Sequence, residues 1–408
     1  MQMRTLAITS LAAGGDGVGR DDAGRVTFVP RTAPGDRVRA RLVHATKSFA
    51  RAELVSIDEP SPDRAAPPCP HFLRGCGGCT WQHVSRPAQL AAKQAIVANA
   101  LRKLTGLALH PIEDPAPPLG WRRRVRFHVA LGNVGLFVEG TNTVLPIDHC
   151  PQLEPALDAA LAAVRAASPP DGELSLLLGH RGDVVVGVSR PWKLAASLVG
   201  SAGIVGVVAG AESHGTHVIE IEPGLWSGPT DFAQASAAGN RALIARTRAA
   251  LGPPSSSSAT LVELYAGSGN FTRGFIDDGW GVLATDGVPR VEGNPAASAA
   301  SGAASSAASS AKGRLAEHRV GPVGDVLATI AGPVDAIVLD PPRVGAADAI
   351  DGIVRLSPRV IVYVSCDPAT LARDLDRLVG AGYRATDAWP IDLMPQTAHV
   401  EVVVRLER

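Results

Sequence analysis

The chain of 408 residues is long enough for two or three domains, and with 46% of it hydrophobic a sizeable core is within reach. Lys plus Arg and Asp plus Glu both number 39, so net charge neither demands nor excludes nucleic acid, and a local basic patch would be enough for phosphate contacts. No apolar run approaches the roughly twenty residues that span a bilayer, Met1 to Ser10 is too short and weakly apolar for a signal peptide, and five cysteines, an odd number, argue against a disulfide framework; a cytoplasmic protein is expected.

Residues 1 to 58 read as a small β-barrel. Gly14, Gly15, Gly17 and Gly19 mark a turn, and strand-like runs follow at Val26–Val29, Asp36–Val43 and Ala52–Ile57. In the middle run Arg37, Arg39 and Arg41 alternate with Val38 and Leu42, which puts the arginines on one face. An oligonucleotide-binding barrel presents such a face; a solvated strand would look the same. Asp58 to Pro70, rich in proline and charge, is a linker. Then comes Cys69-Pro-His-Phe-Leu-Arg-Gly-Cys76-Gly-Gly-Cys79. Two cysteines separated by two residues, with a third upstream, can wrap a metal centre, and Gly77 and Gly78 let the backbone fold tightly around it. Cys150, in Asp148-His-Cys-Pro151, is a fourth candidate. Four thiolates suit tetrahedral zinc or an iron–sulfur cluster. His71, His83 and His149 are spare candidates, and a redox dithiol would need only two of the cysteines.

Between Pro87 and Leu104 the spacing of Leu90, Ile96, Val97, Leu101 and Leu104 is helical. Trp121-Arg-Arg-Arg-Val-Arg-Phe127 combines two aromatics with four arginines beside a predicted strand. Phosphate contacts plus stacking surfaces are what a nucleic-acid strand needs, and a solvated strand face is the alternative. The α+β region that follows carries strands near Asp183–Val188 and His217–Glu222, a helix near Pro155–Ala167, and no catalytic motif.

The character changes at about residue 223. Thr230-Asp-Phe-Ala-Gln234 precedes a helix running to about Leu251. Leu261-Val-Glu-Leu-Tyr-Ala-Gly267-Ser-Gly269-Asn-Phe-Thr272 is strand, glycine turn and helix, where glycines allow close backbone approach to a ligand. Asp286 ends the next strand, the place of a carboxylate gripping ribose hydroxyls. Residues 290 to 313, rich in Ala, Ser and Gly, predict a poorly packed helix or mobile loop. Val334–Leu339 is a buried strand with Asp340-Pro-Pro-Arg343 at its carboxyl end, Asp340 being placed for ligand or base. Val360–Val364 is a buried strand running into a helix that Pro368 opens. Cys366 lies at their junction, the edge where open α/β sheets place their chemistry. The helix dipole predicts a lowered thiol pKa there; a buried structural cysteine is the bland reading. A final hairpin, Pro390 to Leu406, sets His399, Glu401, Val403 and Arg405 on one strand face.

Five of these pieces together resemble the S-adenosylmethionine-dependent RNA 5-methyluridine methyltransferases, in particular their iron–sulfur branch acting on 23S rRNA. They are Cys69, Cys76, Cys79 and Cys150; Asp231 to Gln234; Glu263 to Thr272; Leu339 to Arg343; and Val364 to Asp374 with His399-Val-Glu401. The resemblance covers nearly the whole chain. It implies an α/β fold: a Rossmann-like class I methyltransferase domain over residues 223–408, an OB-fold-like TRAM barrel over 1–58 for RNA binding, and a central α+β domain over 59–222 carrying an iron–sulfur cluster. It also implies roles. Cys366 is the nucleophile and Glu401 the proton acceptor; Gln234, Tyr265, Asn270, Asp286 and Asp340 surround S-adenosylmethionine; Cys69, Cys76, Cys79 and Cys150 hold a structural 4Fe-4S cluster. A monomer acting on an unstacked loop uridine of RNA, without membrane contact, is expected.

The chemistry accounts for the residue types. Carbon 5 of uracil is too weak a nucleophile to attack a methyl sulfonium. A thiolate adding at carbon 6 converts the ring to an enolate and activates carbon 5. A base must then remove the carbon 5 proton so that the thiolate can leave. The base has to be unstacked to reach the pocket, which favours a single-stranded loop. The rivals are a tRNA 5-methyluridine enzyme, an amino-group methyltransferase, and a non-catalytic iron–sulfur or zinc RNA-binding protein. Amino-group enzymes place an aromatic after Asp-Pro-Pro and need no cysteine, whereas this chain has Arg343 and Cys366.

Overall fold

Five strands, Met3–Leu11, Gly17–Arg20, Val26–Val29, Arg37–Ala45 and Phe49–Glu59, close into a barrel in the computed structural model, which describes residues 2–287, 308–309 and 315–408. Period-two alternation builds it: Leu6, Ile8, Val29, Val38, Ala40 and Ala52 fill the interior, and Leu6 pairs with Val38 across the first and fourth strands. Arg37, Arg39 and Arg41 do share the outer face. Each meets a carboxylate of the adjoining strand: Arg37 with Glu59 at 4.0 Å, Arg39 with Asp58 at 3.1 Å, and Arg41 with Glu53. The face is charge-balanced rather than basic, because antiparallel neighbours Phe49–Glu59 present acids opposite the arginines.

A seven-stranded sheet follows, ordered Glu212–Gly215, Ile204–Ala209, Val184–Val188, Gly172–Leu178, Arg124–Ala130, Asn133–Phe137, Val144–Pro146. The helix Pro155–Ala166 packs on it through Leu157, Leu161 and Val164. Here one expectation fails. Trp121 and Phe127 are buried, with 2% and 0% exposure, so neither ring is available to stack on a base. Strand alternation turns Val125 and Phe127 into the core, and Arg123 is buried too, bonded to Glu222 at 2.7 Å and to the Ile221 carbonyl at 2.9 Å. Of the four arginines only Arg126 is exposed.

The third unit is built on a nine-stranded sheet: Ala308–Ser309, Leu315–Val320, Gly281–Asp286, Thr260–Leu264, Ala336–Leu339, Val360–Ser365, Glu401–Glu407, Arg384–Ile391, Ala108–Leu109. Strands from Leu315–Val320 to Val360–Ser365 run parallel, and Glu401–Glu407 inserts antiparallel. The near-continuous apolar runs Ala336–Leu339 and Val360–Val364 are wholly buried, as central strands covered on both faces must be. Helix Arg86–Leu101 joins this unit: Val97 and Leu101 share a core with Leu371, Leu375 and Leu378 of helix Pro368–Gly380. Apart from residues 308–309, the Ala/Ser-rich stretch 290–313 lies outside the described residues. Among the described residues no helix is long and apolar enough to cross a membrane.

Candidate active site and four-cysteine cage

Cys366 follows the strand Val360–Ser365 and precedes the helix Pro368–Gly380, whose N-cap is Asp367; the Asp367 side chain accepts from the Thr370 N–H at 2.8 Å. Antiparallel register pairs Val364 with Val403 and Ser365 with Val402. One step further along, Cys366 faces Glu401. Glu401 is 4% exposed: its strand lies between two others, so it is an interior position rather than a solvated edge.

The Asp340-Pro-Pro-Arg343 loop reaches the same place from the neighbouring strand. Helix Pro368–Gly380 holds it. Thr370 Oγ1 donates to the Arg343 carbonyl at 3.0 Å, Arg373 donates to the Val344 carbonyl at 2.8 Å, and Asp374 accepts from the Ala346 N–H at 2.8 Å and the Tyr363 hydroxyl at 2.7 Å. The Arg343 guanidinium then bonds Cys366 and sits 3.3 Å from His399 Nε2.

Acids crowded into a dry site resist ionisation. Burial, then Asp340, pushes Glu401 up to about 8, against the pull of Arg343. Burial, then Glu263, pushes Asp340 up to about 7. The Cys366 thiol, expected to be acidified by the helix dipole, is instead pushed up to about 11 by burial and by the Glu401 and Asp340 carboxyls, with Arg343 acting in the opposite direction. Burial first, and the two carboxyls after it, oppose the partial charge of the helix terminus. His399 is held down near 4 by burial and by Arg343, so its ring is neutral at neutral pH.

The glycine turn lies two strands away. Tyr265, Gly267 and Gly269 adopt φ of 59°, 53° and 89°; only glycine takes the last two without steric cost. The turn points the Gly267 N–H at Asp286, which accepts it at 2.8 Å. Tyr265 donates to Asp348 at 2.8 Å. Asn270 is committed to a reciprocal amide pair with buried Asn240, at 2.8 and 2.9 Å. Gln234 is half-buried, and its carbonyl accepts from Arg123 Nε at 3.0 Å. Three residues beyond the sequence candidates also stand out: Arg343 and His399 beside the thiol, and Phe232, 71% exposed with the Arg124 guanidinium 6.0 Å above its ring. Phe232 had a legible signal, an aromatic flanked by Asp231 and Gln234 just before a helix.

The four remaining cysteines line one cavity of about 290 Å³ together with His71, Gln82, Arg122 and Gln152. All are free thiols. The Gly78 N–H donates to Cys76 Sγ at 3.4 Å, and Gln82 Oε1 accepts from the Cys69 N–H at 3.2 Å. Both polar atoms of the Gln152 side chain, 2% exposed, lack a hydrogen-bond partner. Burial raises Cys76, lifts Cys79 to about 12 and lifts Cys150 to about 11. His71 bonds Asp148 at 2.9 Å through Nε2 and turns Nδ1 to Cys69 Sγ at 3.8 Å, while His149 pairs with Asp158 at 2.6 Å and His83 with the Thr32 carbonyl at 3.1 Å. Among the described residues no three His, Cys, Asp or Glu side chains group closely enough for a single metal ion.

Comparison with known proteins bears on the barrel and on the unit that carries Cys366 and Glu401. Residues 2–55 match the TRAM domain, and residues 330–408 match the family described as tRNA (Uracil-5-)-methyltransferase. The chain is 32% identical to the 23S rRNA (uracil(1939)-C(5))-methyltransferase RlmD of Pseudomonas entomophila, over 98% of this chain and 93% of that one. It is 34% identical to the RlmD of Chromohalobacter salexigens, over 99% and 89%. The crystal structure of the Pyrococcus abyssi tRNA (uracil-54, C5)-methyltransferase in complex with S-adenosyl-L-homocysteine shares the fold, with a TM-score of 0.73, 22% identity and 99% coverage of both chains.

Proposed function

We propose a reaction and a substrate from one premise: this chain belongs to the RNA (uracil-5-)-methyltransferase family. We infer that it moves a methyl group from S-adenosylmethionine to carbon 5 of a uridine in 23S rRNA through a covalent bond between Cys366 and carbon 6. The observation that carries the reading is the meeting of a thiol and a buried carboxyl, Cys366 and Glu401, across two paired strands at the carboxyl edge of the sheet.

The order of events follows from the charges. Three acids share one pocket with one guanidinium, so in the free enzyme they hold on to protons. A sulfonium docked between the glycine turn and Asp340 brings in a positive charge and favours the thiolate. The thiolate adds to carbon 6; carbon 5 takes the methyl group and S-adenosylhomocysteine departs. Glu401, as carboxylate, takes the carbon 5 proton, the double bond re-forms, and the thiolate leaves. Asp286 is suited to the ribose, Tyr265 and Asp340 to the rest of the cofactor, and Gln234 to the mouth of the site. Asn270 supports the turn through Asn240.

We further infer that Cys69, Cys76, Cys79 and Cys150 hold a 4Fe-4S cluster. One zinc ion would draw its four sulfurs to roughly 3.8 Å from one another, given a Zn–S bond near 2.3 Å. A cluster with its own sulfides needs a wider cage, and the four thiols line a single cavity of about 290 Å³. The Gly78 N–H already reaches Cys76 Sγ, and Arg122 lines the cavity beside the thiols, as an anionic thiolate cluster requires. The cluster would fasten the Cys69–Cys79 loop to the loop of Cys150. For RNA contact the barrel offers Phe28 and Phe49, edge to face at 6.2 Å, with the Arg51 guanidinium 5.8 Å from the Phe28 ring.

The test uses a 23S rRNA fragment carrying 5-fluorouridine. Fluorine cannot leave as a proton does, so the reading expects a methylated protein–RNA adduct stable to denaturing gels and mapped to Cys366. Wild-type protein giving no adduct would refute the covalent route. Efficient transfer to tRNA but not to the rRNA fragment would overturn the substrate.

A further inference from the structure

The segment that delivers Glu401 is held by a different part of the chain. Residues 392 to 398 form a bend whose hydrogen bonds run largely to residues 80–93. The Gln396 carbonyl accepts from the Thr80 and Trp81 N–H groups, both at 3.0 Å. Thr80 Oγ1 accepts from the Ala398 N–H at 3.0 Å. The Gln89 side chain accepts from the Gln396 N–H at 3.1 Å and donates to Gln396 Oε1 at 2.9 Å. Lys93 bonds Asp392 at 2.6 Å and the Met394 carbonyl at 3.1 Å. Gln396 holds φ of 67° while 8% exposed, a left-handed conformation that is unfavourable for a non-glycine residue and persists only where its surroundings impose it.

Thr80 directly follows Cys79, and Ala398 directly precedes His399. The Cys69–Cys79 loop, with three of the four cysteines, is thus stitched by two hydrogen-bonded residues to the strand that carries Glu401. Trp81 and Ala398 also share one small apolar core.

We propose that Thr80 and Gln396 are positioning residues for Glu401, so that the cysteine loop sets the step in which the carbon 5 proton is removed. In that step the Glu401 carboxylate takes the proton, the C–H electron pair becomes the C5–C6 double bond, and the C6–S bond breaks to return the Cys366 thiolate. This rests on the covalent reading above.

The test uses full-length protein purified without air, its cluster retained. Thr80→Val removes the accepting oxygen at nearly constant shape; Thr80→Ser keeps it; Gln396→Gly relieves the left-handed strain but removes the side-chain bonds to Gln89 and to the Pro118 carbonyl. With ordinary uridine RNA, Thr80→Val is expected to lower kcat about ten-fold or more with KM for RNA unchanged, and to accumulate methylated protein–RNA adduct that wild type does not. Its visible cluster absorbance and melting temperature stay near wild type, and Thr80→Ser restores turnover. Should Thr80→Val fail to fold, Gln396→Gly is read by the same criteria. Turnover at the wild-type rate with no accumulated adduct in the folded variant overturns the inference. The 5-fluorouridine trap separates the two ideas: wild type forming no adduct sinks the covalent reading and this inference with it, whereas a trapped wild type beside an unaffected variant sinks the inference alone.

Discussion

The Cys366 thiol is the group on which sequence and structure disagree most, and its ionisation is measurable. With the thiol near 11, only about one molecule in a thousand is thiolate at pH 8, against roughly one in ten for a thiol at its model value of 9.0. The rate of alkylation by iodoacetamide, followed by mass spectrometry of the peptide containing Cys366, should therefore keep climbing from pH 7 to beyond pH 10. Glu401→Gln removes one neighbouring negative charge. Taken at roughly 5 Å and an effective dielectric near about 40, that charge is worth about 1.7 kcal/mol, or roughly a ten-fold rise in thiolate fraction. The gain appears above pH 8, where Glu401 itself ionises. Arg343→Ala moves the profile the other way. S-adenosylmethionine, with its sulfonium, moves it to lower pH, and the uncharged S-adenosylhomocysteine moves it less. The shape of the profile, not the absolute rate, is diagnostic, since burial slows the reagent at every pH. A midpoint below about 8.5 in the ligand-free enzyme, or a Glu401→Gln profile that overlays wild type, would refute the electrostatic account.

Asp392 sits between Lys93 and Arg86 with its side chain fully buried; Asp392→Asn leaves the Lys93 ammonium without its charge partner and should cost about 3–5 kcal/mol in denaturant unfolding, and a loss under about 1 kcal/mol would show the pair to be dispensable. Burial, helped by Arg64, holds His83 down near 4. The folded state then binds fewer protons than the unfolded chain between pH 6.5 and 4, so stability is full above 6.5 and declines on acidification, by about 2 kcal/mol at pH 5; an unfolding free energy flat across that window would exclude the effect. Arg122→Met withdraws the cation lining the thiol cage; on the cluster proposed above, the visible absorbance should bleach several-fold faster under an iron chelator, and an unchanged bleaching rate would remove Arg122 from the cage.

The parts of this fold that depend on local pattern were legible. Buried strands announce themselves as β-branched runs, and Val360–Ser365 and Ala336–Leu339 lie where those runs lie. The glycine turn needs left-handed backbone at Gly267 and Gly269, so its residue types betray it. What stayed hidden depends on partners distant in sequence. Arg37, Arg39 and Arg41 look basic until strand pairing lays Glu59 and Glu53 opposite the first and last of them and brings Asp58 diagonally to the second. Trp121 and Phe127 look like a stacking surface because composition does not say which way a strand faces. Asn270 looks free to meet a cofactor until Asn240, thirty residues upstream, takes its amide.

The same division explains the active site. Cys366 and Glu401 are separated by a helix and a strand in the sequence, yet antiparallel pairing makes them neighbours. A chain motif therefore names the reacting groups but says nothing of their protonation, which belongs to the pocket. A thiolate at the N-terminus of an exposed helix would be ready at neutral pH and open to any electrophile. Burial beside two carboxyls raises the Cys366 thiol, and on the mechanism proposed above this would tie nucleophilicity to the arrival of the methyl donor's positive charge. Asp340 is the link in that argument: it stands at the end of the strand adjoining the Cys366 strand and one strand from the glycine turn. Asp340→Asn should accordingly ease Cys366 ionisation in the free enzyme while weakening S-adenosylmethionine binding in calorimetry, two effects of opposite sign from one substitution. A variant that loses methyl-donor affinity with no change in thiol reactivity would break the coupling and leave burial alone as the reason the thiol is quiet.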